Sequence, residues 1–298
     1  MHEKIKKKIR FRLNSQCEWL GEIKVQQVLP NKFAQAIGPF IFLEHILSYK
    51  QTSGESDKNL AGKCSHPLRG ITTLTYILSG EVEHWDSLGN NVNLVSGEVH
   101  WTKAGKGIVY DEVVRSDYRA VESDIAVFRF WINLPSKTKT EKPHYVALRS
   151  TDIPKYNLPD DTGWIKIISG GYQNIMSEMP CYANEFLYHI HLESGKQFSI
   201  TTEQYLQYAA FLPANKAIIN GAGMPAGEFI AFNGLGEIIE ITNDCDKAID
   251  IFLFGGEPYR EPIVTDGKFV MNTPHEITQA YNDYYDGKYG QIKQNQNP

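Results

Sequence analysis

The alternation of apolar and polar positions along this chain predicts short strands separated by tight turns. Residues 72–78 combine β-branched, aromatic and leucine side chains and end at a Ser-Gly pair, and residues 81–85 alternate before a turn at 86–90. Residues 126–133 form a further apolar run. Strands of this length, bounded by Gly, Asn and Asp and with few helical periods, are typical of a β-sandwich or barrel.

The second half of the chain repeats the character of the first. Between the halves, residues 136–143 are polar and show no apolar periodicity, which predicts a domain boundary. We therefore expect two domains, 1–140 and 141–298. The apolar runs of the second half are residues 185–192, 208–212, 217–219 and 249–254.

One helix is predicted near the C-terminus. Thr273 suits the N-cap, Pro274 the first helical position, and Glu276 completes a capping box. Gly287 can end the helix. The apolar stripe that would face the protein consists of Ile277, Ala280, Tyr281 and Tyr284.

Composition narrows the function classes. The 298 residues allow two domains, and a net charge of −5 gives no basic field for direct nucleic-acid binding. The basic first ten residues are followed by no apolar stretch of a secretory signal, and no run reaches the length of a membrane span. A cytoplasmic protein is expected, with free thiols because its cysteines are widely spaced; they are Cys17, Cys64, Cys181 and Cys245.

Several separated segments, in the same order, resemble motifs of the pirin family. The resemblance implies an all-β fold of two cupin domains, which are double-stranded β-helix or jelly-roll barrels, followed by the short C-terminal helix. It also implies a metal site in the first domain. The matching segments are residues 38–44, 66–70, 83–90, 104–112, 130–135, 256–258, 261–262 and 269–273.

The same resemblance identifies the positions of the family's metal ligands, three histidines and one glutamate. His66 and Glu112 match two of them, whereas Leu68 and Tyr110 stand where the family has histidines. Residues two apart on a strand share one face, so each pair could deliver two ligands to one point. With half the ligands replaced, we expect no bound metal or a weakly bound divalent metal, which would be iron if the family's site works. His66 and Glu112 would then bond each other or water.

Other side chains are candidates for replacing the lost ligands. Cys64 would share the face of His66 if that strand extends so far, and His100 could point into the barrel. A small buried cysteine and a cross-strand histidine are the plainer interpretations. His84 reads as a surface or turn histidine.

The second half contains a His-x-His pair, His189 and His191, at a spacing that metals use. The turn that follows resembles the one preceding a cupin's metal strand, and residues 197–212 contain no histidine. We therefore interpret the pair as packing or hydrogen-bonding residues.

Three functions are compatible with these residues, and the sequence identifies no catalytic residue. The first is a non-catalytic or divergent pirin-like bicupin that binds a small aromatic molecule or a protein. The second is an oxidoreductase of the quercetin 2,3-dioxygenase type, which the resemblance implies and which needs a redox metal. The third is a regulatory protein-binding module. The sequence leaves the oligomeric state and the question of enzymatic activity open.

Overall fold

A computed structural model describes residues 4–20, 23–49, 65–115 and 125–293, and strands dominate them. The predictions of an all-β chain and of a C-terminal helix are confirmed. The described strands are β1 Ile9–Asn14, β2 Cys17–Leu20, β3 Ile23–Leu29, β4 Phe40–Tyr49, β5 His66–Leu68, β6 Ile71–Ser79, β7 Glu81–Asp86, β8 Asn91–Val95, β9 Val99–Lys103, β10 Ile108–Arg115, β11 Ala126–Asn133, β12 His144–Leu148, β13 Lys155–Asn157, β14 Gly163–Ser169, β15 Gly171–Tyr172, β16 Ile175–Met176, β17 Phe186–Leu192, β18 Gln197–Thr201, β19 Gln207–Phe211, β20 Ala217–Ile219, β21 Ala222–Met224, β22 Glu228–Phe232, β23 Ile238–Thr242, β24 Ile249–Gly256, β25 Val264–Asp266 and β26 Phe269–Met271.

The chain forms two compact units that are discontinuous in sequence. We call Cys17–Gln26, Phe42–Ser150 and Arg260–Pro298 the first-half unit, and Met1–Gln16, Gln27–Ile41 and Thr151–Tyr259 the second-half unit. β1 belongs with the second half because it pairs with β22. In the middle of the chain, the boundary between the two units lies between Ser150 and Thr151. The division into two consecutive domains, 1–140 and 141–298, stays a prediction.

Each unit is built from a larger and a smaller antiparallel sheet. Among the described residues of the first-half unit, the larger sheet has the order β12-β9-β6-β11-β4-β3-β2 and the smaller one β5-β10-β7-β8. In the second-half unit the corresponding orders are β1-β22-β19-β24-β17-β14-β13 and β18-β23-β20-β21. Pairs of short, antiparallel sheets of this kind make a jelly-roll barrel.

The second-half unit has a continuous apolar core. Strand alternation sends Ile190, Ile230 and Ile251 into one cluster with residues of both sheets, and these three are fully buried. In the first-half unit, apolar clusters lie around Ile77 and Val127 and around Phe269 and Ile277. The region between its sheets also holds charged and imidazole side chains, described below.

The helix α1, Pro274–Tyr285, begins as predicted. Its N-cap is Thr273, whose side-chain oxygen accepts a hydrogen bond from the backbone N–H of Glu276. The Glu276 carboxylate in turn accepts from the backbone N–H of Asn272 at 3.0 Å. Gly287 follows the helix with a φ of +75°, which is the conformation that glycine favours at a helix end.

The polar stretch at residues 136–143 is not an exposed linker. Ser136–Thr138 forms a short 3-10 helix, and the ammonium group of the buried Lys139 donates to the carbonyls of Gly70 and Val270 at 2.8 Å each. It also donates to Asn133 Oδ1 at 2.5 Å. A lysine that serves three buried acceptors stabilises its surroundings although its sequence context is entirely polar.

Two further sequence predictions concern membrane spans and thiols. None of the helices in the described part of the chain has the length and apolarity needed to cross a membrane. The described cysteines, Cys17, Cys181 and Cys245, are free thiols as predicted. Cys64 lies outside the described residues.

Candidate functional site

Strand β10 carries the two candidate residues of the second sequence motif, and its register decides what they meet. Tyr110 lies opposite His66 of β5 on one side and Asp86 of β7 on the other. Glu112 lies opposite His84 of β7. Alternation sends Tyr110 and Glu112 to the same face of the smaller sheet, and that face looks towards the larger sheet of the first-half unit.

At the first predicted ligand pair, His66 meets a cation. Its ring packs edge-to-face on Tyr110 with centroids 4.4 Å apart, and its Nε2 contacts Nζ of Lys268. Lys268 comes from the turn between β25 and β26 and also lies over the Tyr110 ring. Leu68 is fully buried opposite Ile108.

At the second predicted pair, Glu112 is held by a guanidinium group. Arg129 Nη2 lies 2.8 Å from Glu112 Oε2, and its Nη1 lies 3.0 Å from Glu44 Oε1. Arg129 lies on β11 and Glu44 on the neighbouring β4, so Arg129 contacts Glu112 from the larger sheet while Glu44 binds Arg129 within it. The side chain of Glu112 is 2% exposed, and a carboxylate so buried needs a counter-charge to remain ionised.

Two buried histidines complete the surroundings of Glu112. His100 Nε2 lies 3.2 Å from Glu112 Oε1, and His84 Nδ1 lies 3.8 Å from the same oxygen. Both histidine side chains are fully buried. Among the described residues, His84, His100 and Glu112 are the only group of three potential ligands whose atoms approach this closely, all within 4.8 Å.

Asp86 fixes the orientation of His84. Its Oδ2 lies 3.2 Å from His84 Nε2, and the same carboxylate accepts from the backbone N–H groups of Leu88 and Asn90. The amide of Asn90 donates to it as well, at 2.7 Å. A carboxylate that accepts the Nε2–H proton leaves the other ring nitrogen, Nδ1, with a lone pair in neutral histidine.

Burial and neighbouring charges shift these groups in different directions. Burial opposes ionisation of Glu112, but Arg129 and His100 outweigh it and hold the pKa of this carboxyl well below its usual range. Burial lowers the pKa of His100, so its imidazole is neutral at neutral pH. Burial and the positive charge of Arg129 lower the pKa of Lys268 to about 8, and burial raises the pKa of Tyr110 above its usual value.

The structure thus groups the sequence candidates into two sets. His66 lies with Tyr110 and Lys268, whereas Glu112 lies with His84, His100 and Arg129. The interpretation of His84 as a surface or turn residue is wrong, because it lies within β7 and is fully buried. Alternation could have shown this, since His84 shares a strand face with the buried Val82. Cys64, the other proposed substitute, lies outside the described residues.

Arg129 and Lys268 were not sequence candidates. Arg129 lies in an apolar strand, and only the structure shows that its side chain is largely buried, with 16% exposed. Lys268 follows a glycine in a turn far along the chain, and no local pattern connects it with His66. Both are cations that approach residues at metal-ligand positions.

The His-x-His pair of the second-half unit makes hydrogen bonds, as expected. His189 Nε2 and His191 Nδ1 lie 2.9 Å and 2.8 Å from the same oxygen, Oδ1 of Asp250. Trp164 stacks on His191 and meets His189 edge-on. One carboxylate therefore satisfies both imidazoles, and the hydrogen-bonding interpretation is confirmed.

Comparison with known proteins agrees with the fold and the order of motifs. A family model described as pirin matches residues 22–132, and the pirin C-terminal cupin domain matches residues 187–290. A pirin-like protein from Solanum lycopersicum is 32% identical over 265 residues, which cover 86% of this chain and 83% of that protein. The chain belongs to the pirin family. Its two units are accordingly the two cupins of a bicupin, as the sequence resemblance predicted.

Solved structures support the same fold. A quercetin 2,3-dioxygenase from Acinetobacter baumannii superposes with a TM-score of 0.83 at 24% identity, covering 97% of this chain and all of that one. A bacterial pirin from Escherichia coli in complex with nickel(II) gives a TM-score of 0.62 at 18% identity, covering 82% and 96%. Likeness at these identities concerns the fold.

The residues at this chain's four family positions do not fit a metal ion. Leu68 offers no ligand atom, and burial keeps the Tyr110 hydroxyl protonated. His66 and Glu112 could bind a cation, but Lys268 and Arg129 already contact them. A divalent ion would have to enter beside two protein cations with only two ligands.

Proposed function

We propose that this pirin-family bicupin is a binding protein that has no dioxygenase activity at the family's metal position. One observation carries the proposal: a cation of the protein itself contacts each of the two remaining family ligands, Lys268 at His66 Nε2 and Arg129 at one oxygen, Oε2, of Glu112. Oxygenase chemistry of the quercetinase type needs a redox metal with open positions for oxygen and substrate. The four family positions supply neither.

A groove beside this position supports a small aromatic molecule as the ligand. Its volume is about 540 Å³, within the range of small-molecule sites, and Ser65 and Val109 on its wall are the chain neighbours of His66 and Tyr110. The opposite wall comes from the end of α1 and the segment after it. The lining residues are Ser65, Val109, Tyr284, Tyr285, Gly287, Gly290, Gln291 and Ile292.

The chemistry of the groove suits a flat ligand with hydroxyl groups. Tyr284 and Tyr285 provide aromatic faces, which stack on planar rings. The N–H groups of Gly287 and Gly290 bond within the chain, and the carbonyl oxygens of these lining residues can accept hydrogen bonds from a ligand's hydroxyl groups. A cytoplasmic location and a ligand of this class remain parts of the proposal.

Quercetin is the probe that separates binding from turnover. We expect quercetin to bind, as followed by quenching of protein fluorescence, without oxygen uptake or loss of the quercetin absorbance. Tyr284→Ala should weaken binding by about tenfold, in line with the 1–3 kcal/mol typical of an aromatic stacking contact. The matched control is Tyr205→Ala, because Tyr205 is exposed in the second-half unit.

Two results would contradict the proposal. Metal-dependent consumption of oxygen and quercetin by the wild-type protein would restore the dioxygenase function. Absence of quercetin binding, or equal binding by the wild type and Tyr284→Ala, would remove the groove as the ligand site.

A further inference from the structure

A second set of ligand atoms, which shares only Glu112 with the family positions, has the geometry of a metal site. Neighbouring ligand atoms in a tetrahedral site with metal–ligand bonds of 2.0–2.2 Å lie about 3.3 Å apart. Glu112 Oε1 lies 3.2 Å from His100 Nε2 and 3.8 Å from His84 Nδ1. The widest separation of 4.8 Å closes with side-chain adjustments of roughly 1 Å.

The same atoms have unused lone pairs. Among the described residues, His84 Nδ1 and both ring nitrogens of His100 have no hydrogen-bond partner, although both side chains are fully buried. Asp86 lies at His84 Nε2 and Glu112 at His84 Nδ1, so when the ring proton is on Nε2 the lone pair of Nδ1 is directed at the carboxylate of Glu112. Acceptors that converge in a buried place call for a cation between them.

The two carboxylate oxygens of Glu112 have different partners. Arg129 binds Oε2, so Oε1 stays on the side of the histidines. Glu112 and Glu44 share one guanidinium group, so Arg129 balances only one of their two charges. Hydrogen bonds to metal-ligating carboxylates and histidines are a regular part of metal sites.

We propose that His84 Nδ1, His100 Nε2 and Glu112 Oε1 bind a divalent transition-metal ion, with Asp86 as a positioning residue for His84. Two imidazoles and one carboxylate suit Zn²⁺, Co²⁺, Ni²⁺ or Fe²⁺, and a water molecule can supply the fourth ligand. His84 and Glu112 come from the smaller sheet and His100 from the larger one. The ion therefore links the two sheets of the first-half unit. This site is independent of the ligand groove.

Co²⁺ is the probe, because its visible absorption bands report coordination by protein ligands. The full-length protein is stripped with a chelator, and Co²⁺ alone is titrated in. We expect one equivalent to bind with the intense bands of a four- or five-coordinate site. His84→Gln and His100→Gln should each lose at least a hundredfold in affinity, while Asp86→Asn should lose about 10–100-fold and keep the same spectrum.

His66→Gln is the matched control, since it makes the same substitution at a family ligand position. It should bind Co²⁺ like the wild type. Loss of binding in His66→Gln with retention in His100→Gln would overturn the proposal and return the metal to the family position. Absence of Co²⁺ uptake by the wild type would overturn it as well.

A measurement on the wild type guards against misfolded variants. In histidine-selective ¹⁵N NMR, Zn²⁺ should shift two buried imidazoles while leaving His66, identified from its missing signals in His66→Gln, unchanged. A shift of His66 alone, or of none, would contradict the proposal. Quercetin turnover is not a readout here, so failure of this site and failure of the proposed binding function are distinguishable.

Discussion

The two cupin units have the same sheet layout, but part of the interior of the first-half unit is polar where the second-half unit is apolar. In the second-half unit, Ile190, Ile230 and Ile251 belong to a fully buried apolar cluster. At the middle of the first-half unit, His84, His100, Glu112 and Arg129 converge instead. The jelly-roll barrel therefore does not require a particular chemistry inside, and function has to be read from the side chains that each barrel encloses.

The difference also shows what a polar interior needs. The largely buried Arg129 has two counter-charges within contact distance, Glu112 and Glu44. His84 Nδ1 and His100 Nδ1, by contrast, are buried without a hydrogen-bond partner among the described residues.

The largest expected effect comes from removing the buried counter-charge. Arg129→Met leaves two buried carboxylates, Glu112 and Glu44, without their cation, and should destabilise the first-half unit by about 3–5 kcal/mol. Urea unfolding followed by tryptophan fluorescence measures this, because most of the chain's tryptophans lie in that unit. They are Trp19, Trp85, Trp101 and Trp131.

The control for this change is an arginine pair of similar geometry in the other unit. Arg12 binds Glu228 at 2.7 Å and 2.8 Å, but its side chain is 40% exposed. Arg12→Met should therefore cost at most about 1 kcal/mol. Equal effects of the two substitutions would show that the interior of the first-half unit is more hydrated than its burial indicates.

The strands and the helix could be predicted from the sequence, but the side chains that meet inside the first-half unit could not. The strand at Ala126–Asn133 and the helix starting at Pro274 were predicted from local patterns, which suffice because alternation and capping act over a few residues. The meeting of His84 with His100 depends on how two sheets face each other. Local periodicity contains no such information, so strands β7 and β9 could not be matched in advance.

The second prediction places a histidine in the apolar interior and an apolar residue in the polar interior. Ile251→His places an imidazole without partners in the apolar cluster and should destabilise the second-half unit by about 3 kcal/mol. His100→Leu should cost only about 1–2 kcal/mol in metal-free protein, because Glu112 loses its contact with His100 but keeps Arg129 as counter-charge. Thermal unfolding in the presence of a chelator makes the measurement.

Adding Zn²⁺ tests whether His100 is a metal ligand. Metal that binds the folded state raises its stability, so the wild type should melt higher with Zn²⁺ while His100→Leu should not. A variant that keeps the full Zn²⁺ shift would show that His100 is not a ligand.

The third prediction concerns Lys139, a buried lysine with three acceptors, whose pKa is lowered by burial to about 7. Lys139→Met leaves the carbonyls of Gly70 and Val270 and the amide oxygen of Asn133 without their donor. A loss of about 2 kcal/mol in the free energy of unfolding is expected. Lys216→Met serves as the control, since Lys216 is 61% exposed in its pair with Asp244; similar losses would argue against a role for the buried ammonium group.

The smallest effects are pH dependences of opposite sign at two buried glutamates, one in each unit. The pKa of Glu112 is lowered, so its contribution to stability is present above pH 4.5 and is lost as the pH falls towards its folded-state pKa. Burial raises the pKa of Glu185 although Tyr182 and Ala183 donate to it. Its contribution is present below pH 4.5 and is lost as the pH rises through its folded-state pKa.

Glu→Gln variants at both positions isolate the contribution of each carboxyl group to the pH dependence of stability. The stability of the wild type relative to Glu112→Gln should increase from low pH up to pH 4.5, and relative to Glu185→Gln it should decrease above pH 4.5. Urea unfolding across this pH range measures both. Curves of the same sign would show that the two interiors treat a carboxylate alike.

Anomalous diffraction from crystals soaked in Zn²⁺ tests the central claim most directly, namely that this chain binds metal through His84, His100 and Glu112, a set that shares only Glu112 with the family positions. We predict an anomalous peak about 2.0–2.2 Å from His84 Nδ1, His100 Nε2 and Glu112 Oε1, with Arg129 still bound to the other oxygen of Glu112. A peak at His66 and Tyr110, with Lys268 displaced, would contradict the account. So would the absence of any peak in the interior of the first-half unit.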